Sequence, residues 1–146
     1  MAIISLIILA IYLIAMGLSY GVKEYVSDNY YIGKPPWLFS VVMAVSGGLM
    51  LPPMFEKGGH APFLALFSVF GLIIVAIAPH YKIDKMHAVG AFTALICAIM
   101  WAASFHIQVV ICAALLWGCY WAARLPKPYY IGEVLAFALV YSTILF

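Results

Sequence analysis

Charged side chains are scarce in this chain: 7 Lys and Arg and 5 Asp and Glu among 146 residues, or 8%. A soluble domain carries about a quarter. With 68% hydrophobic residues and a mean hydropathy of +1.14, a water-soluble fold would expose a large apolar surface, so the expected solvent for most of the chain is lipid. The dispersed net charge of +2 removes nucleic acid as an expected partner, because that binding needs a basic patch or stripe. Cysteine is sparse too. Cys97, Cys112 and Cys119 all fall inside apolar runs, which excludes a disulfide framework stapling loops. A Walker loop, a dinucleotide fingerprint, HExxH, GxSxG and CxxC are all missing, and with them the chemistry those motifs carry.

What the chain does have is long apolar runs, and about 20 such residues cross a bilayer as a helix. They cover roughly 2–19, 37–54, 62–79, 86–105, 107–123 and 129–146. The pattern predicts an all-α membrane protein: a compact bundle of six transmembrane helices with short loops, in one polytopic domain over 1–146. No Lys or Arg precedes the first run and no small-x-small cleavage pattern accompanies it, so it is read as a retained helix and not a secretory signal. Pro35-Pro36, Gly58-Gly59 with Pro62, Pro79, and Pro126 with Pro128 punctuate four connections, since such residues end or turn helices. Pro52-Pro53 is expected to end the second helix. The remaining boundary, "SFHIQ" at 104–108, has no such signal, but without a turn there the fourth and fifth runs would fuse into about 38 residues, too many for one crossing.

Basic residues alternate between connections. The first, third and fifth hold Lys23, Lys34, Lys82, Lys85, Arg124 and Lys127, the second holds Lys57, and the fourth holds none. The positive-inside rule places the three basic loops in the cytoplasm and, with an even number of spans, both termini on the opposite side. Trp37, Tyr129 and Tyr130 lie at run ends, where interfacial aromatics belong.

The fourth helix carries a seam. His87, Ala91, Ala94, Ala98 and Ala102 follow at spacings of 4, 3, 4 and 4, one stripe of small residues that admits a neighbouring backbone. Gly17 and Gly47-Gly48 offer similar contact points, within the bundle or between copies in a homo-oligomer.

Polar chemistry concentrates in "PHYKIDKMHAVGA" at 79–91. His80, Asp84 and His87 lie 4 and 3 apart; on a continuous helix they would share one face and suit zinc or another transition metal. The competing reading is a wet loop in which Asp84 caps the helix. His87 opens the small-residue stripe and is expected to point inward, with Asp28 or Glu133 as its partner. Glu133, about one turn inside the last helix, is the other intramembrane polar group, able to pair with Arg124 or Lys127. Lys82, Lys85, Arg124 and Lys127 are the expected contacts for lipid phosphate.

The first loop, "YVSDNYYIGKPPW", followed by two helices and then "MHAVGAFTAL", resembles the six-helix membrane proteins of the damage-regulated autophagy modulator family and their small bacterial relatives, near the CREST group. The resemblance implies an all-helical fold and, through the small relatives, a bacterial inner membrane. It also implies that Ser27, Asp28 and His87 match the Ser-Asp and His motifs of zinc-dependent lipid amide hydrolases. No His-x-x-x-His stands in the last helix, where Tyr141 and Ser142 are found, so two of the usual zinc ligands have no counterpart. Eukaryotic members are usually drawn with a cytoplasmic N-terminus, opposite to the orientation derived from charge. The leading expectation is a protein without a resident cofactor that recognises or organises membrane lipids at the face of the first, third and fifth loops. The alternatives are a reduced metal-dependent lipid hydrolase, with zinc held by Asp28, His80, Asp84 and His87, and a small transporter or channel subunit.

Overall fold

The computed structural model describes residues 1–59, 61–78 and 84–146, and of Asp84 only the backbone. Its first helix, α1 (Ala2–Tyr20), shows how an almost uniformly apolar sequence still has an inside. Ala2, Ser5, Leu9, Tyr12 and Met16 are buried, whereas Ile3, Ile7, Ile11, Ile14 and Leu18 are exposed. Both sets recur at helical spacing, so the face that includes the Ser5 and Tyr12 hydroxyls turns inward and a row made only of branched aliphatics turns outward. That sorting suits surroundings as apolar as the core, where packing and hydrogen bonds hold helices together.

A 3₁₀ turn (Val26–Asp28) and the one-turn α2 (Asn29–Ile32) follow, then α3 (Trp37–Lys57), α4 (Pro62–Ile77), α5 (Asp84–Ala122) and α6 (Pro128–Leu145). No strand occurs among the described residues, and the fold is the predicted all-α bundle. Helices α1, α3, α5 and α6 are long and apolar enough to cross a membrane, while α4 is apolar but has 16 residues.

Two boundaries differ from expectation. Pro52-Pro53 does not end its helix, because α3 runs on to Lys57. A proline ring inside a helix presses on the carbonyl four residues back, here those of Gly48 and Leu49. Met50 and Met54 on either side are buried, so packing holds the turn that the prolines weaken. The second difference is α5, whose 39 residues are interrupted by backbone only at His106 (φ −137°, ψ 63°). Just before that residue, the Ser104 hydroxyl donates to the Trp101 carbonyl at 2.7 Å, a local bond that competes with the helical ladder. The break divides α5 into a first arm (84–105) and a second arm (107–122).

The first arm packs on α4, α4 on α3, α3 on α1, and α6 on α5; α1 and α6 touch more lightly. The α4–α5 seam is the closest. A Cβ added at Gly71 would collide with the Ala94 amide nitrogen and come within 2.6 Å of the Gly90 carbonyl, so backbone meets backbone there. Ala94, Ala98 and Ala102 of the expected stripe are buried, and Ser68 of α4 donates to the Ala94 carbonyl at 3.2 Å.

Candidate polar site between loop one and α6

Loop one (21–36) folds around its own carboxylate: Asp28 Oδ2 accepts the Tyr25 N–H at 3.0 Å and closes the 3₁₀ turn. The turn is then fastened to α6 by Glu133, whose Oε2 accepts the Val26 N–H at 2.7 Å. A backbone N–H in so short a turn has no helical acceptor of its own, and this side chain supplies one. Outside this bond, Lys127 Nζ meets Glu24 Oε2 at 3.4 Å. Both side chains are more than 40% exposed, and solvent limits such a pair to about 0–1 kcal/mol.

An aromatic ladder covers the same face. Tyr25 stacks on Tyr129 with centroids 5.0 Å apart, Tyr129 meets the edge of Trp121 at 5.1 Å, and Trp121 meets Trp117 at 5.5 Å. The last indole donates from Nε1 to the Pro128 carbonyl at 2.9 Å. It fits because position 132 is glycine: an added Cβ would lie 2.7 Å from that nitrogen. Arg124 and Lys127 take left-handed backbone at φ 51° and 59°, a conformation uncommon for non-glycine residues, as the chain doubles back between α5 and α6. The Tyr25 phenol titrates above its ordinary value, first through burial, then through Tyr129 and the Glu24, Glu133 and Asp28 carboxylates. It is therefore a neutral hydroxyl throughout the physiological range.

Of the residues singled out from sequence, Ser27, Asp28 and Glu133 come together here, with Lys127 alongside and Arg124 exposed nearby in the chain. Glu133 takes a backbone N–H, whereas Lys127 pairs with Glu24. His87 is half-buried, and its Nδ1 lies 2.9 Å from the Ala78 carbonyl at the end of α4. It thus meets a backbone group and not the expected Asp28 or Glu133. Lys85 is exposed; His80, Lys82 and the Asp84 side chain lie outside the described residues. Among the described residues no three His, Cys, Asp or Glu side chains gather to hold a metal.

The sequence places Glu24 at the same face as these groups, but it does not single out Tyr25 and Trp121 as parts of the site, although loop one is visibly rich in tyrosine. It also gives no sign of a buried hydroxyl link deeper in the bundle. Ser5 donates to the Ser46 carbonyl at 2.8 Å and shares a 2.6 Å hydrogen bond with the Tyr141 hydroxyl, joining α1, α3 and α6. No protein-family model, curated protein or solved structure matches this chain. Chemically, the loop-one site offers anionic, cationic and aromatic groups side by side at the end of apolar helices, the mixture found where proteins meet lipid headgroups.

Proposed function

We propose that this protein recognises or organises membrane lipids through the face built by loop one and the 124–128 connection, with Lys82 and Lys85 adding charge from the third loop. In this reading the chain crosses a bacterial inner membrane six times, counting α4 and each arm of α5, with its basic loops cytoplasmic and both termini outside. The likeness to the autophagy modulators stands as a proposal beside it, carried by the loop-one and "MHAVGAFTAL" stretches.

One observation carries the reading: the Lys127–Glu24 pair and the Tyr25–Tyr129–Trp121 ladder flank the Val26–Glu133 bond, at one end of the apolar α6. Cations there meet lipid phosphate, and the aromatic rings suit headgroup depth. The test is retention of phosphatidylglycerol by protein extracted from vesicles, read by native mass spectrometry. Replacing Arg124 and Lys127 together by Ala should lower retention several-fold; unchanged retention would defeat the lipid reading. Orientation is read separately with an impermeant thiol reagent on intact cells, which should label Glu56→Cys and spare Lys34→Cys.

A further inference from the structure

Where α1 and α6 touch lightly, an apolar groove of about 230 Å³ runs between them, walled by Leu6, Ala10 and Leu13 on one side and Val134, Ala138 and Tyr141 on the other. The Tyr141 hydroxyl is turned away into its 2.6 Å bond with Ser5, so the groove presents hydrocarbon. At 1.5 Å per residue its α1 wall is about 10 Å long, roughly two thirds of one leaflet of a 30 Å hydrocarbon core. The rest of α1's outer face is a convex row of Ile3, Ile7 and Ile11, which offers a chain nothing to lie in.

The α6 wall of the groove begins at Val134, the residue after Glu133, so its near end lies next to the loop-one site, where Glu133 holds the Val26 N–H and Lys127 meets Glu24.

Resting on the lipid reading above, we propose that the α1–α6 groove holds one acyl chain of a phospholipid whose head lies on the Glu24–Lys127 pair and the aromatic ladder, as a resident ligand distinct from the surrounding bilayer. The probe is full-length protein extracted into dodecyl maltoside from vesicles of phosphatidylethanolamine and phosphatidylglycerol, with bound phospholipid counted by native mass spectrometry. Ala10→Phe and Ala138→Phe fill the groove from opposite walls, and each should cut retention about tenfold, a loss of about 1.4 kcal/mol of binding. Ala114→Phe, on the exposed surface of the second arm of α5, should leave it unchanged. Because a bulky groove variant can fail to fold, Phe137→Trp supplies a milder measurement: the new indole should stay quenched by a bromine-labelled acyl chain after extraction. Retention lowered by Arg124→Ala and Lys127→Ala but not by the groove variants, or quenching lost on extraction, overturns the groove and spares the lipid reading. Loss in the groove variants alone supports the groove and removes the headgroup assignment, and a wild type that retains no phospholipid overturns both.

Discussion

The two arms of α5 are separated by one non-helical residue, His106, yet they are held by opposite means. The first arm buries Ala94, Ala98, Trp101 and Ala102 and approaches α4 where Gly71 and Gly90 remove side chains altogether. In the second arm no residue is buried; Val110, Ala113, Trp117 and Tyr120 are half-buried along one stripe. There, long aromatic side chains reach across to the 124–128 connection and α6, Trp117 to the Pro128 carbonyl and Tyr120 to that of Pro126. Small residues give contact by closeness, whereas aromatic residues bridge a gap. A seam made the first way has no slack, and one made the second way has side chains that can rearrange.

The sharpest way to break this contrast is Gly71→Ala. Its new methyl meets backbone atoms of the first arm, so overpacking should cost about 2–3 kcal/mol in a reversible unfolding titration in mixed micelles. Tolerance at that position would mean the seam is looser than described. Next in size, Glu133→Ala leaves the Val26 N–H without its acceptor and should cost about 1–3 kcal/mol. Faster thiol labelling of Ser27→Cys in that background would report release of loop one, and an unaltered rate would show that the Glu133 bond does not hold it. Trp117→Phe removes the indole donor while keeping most of the ring, and should cost about 1 kcal/mol in the same titration. The smallest effect is expected for Ala114→Leu on the exposed side of the second arm, within about 0.5 kcal/mol of wild type; a loss matching that of Gly71→Ala would reveal a packing partner for that face.

The contrast also marks what could be read from sequence. The Ala91–Ala102 stripe was legible because helical periodicity in one element suffices to define a face. Gly71 was not, because its importance depends on which helix lies opposite. Glu133 stood out as a carboxylate in an apolar run, but its acceptor role was hidden: the partner is the Val26 backbone N–H, and a backbone group leaves no signature in a sequence. The same holds for His87 and the Ala78 carbonyl. Pro52-Pro53 misled for a related reason, since a local helix-breaking preference yields when neighbours pack on both sides of it. The groove depends on the order of helices around the bundle, which no single helix encodes.

The brevity of α4 has a consequence for the membrane itself. Its 16 residues rise about 24 Å, some 6 Å short of a typical 30 Å hydrocarbon core, and its close backbone contact with α5 restrains it from sliding to make up the difference. Seated across a bilayer as proposed, the protein must draw the lipids on that flank inward, at a cost of fractions of a kcal/mol per Å. A deformation confined to one flank makes the protein sensitive to bilayer thickness, favouring thin membranes over thick ones and drawing together copies that share the same thinned patch.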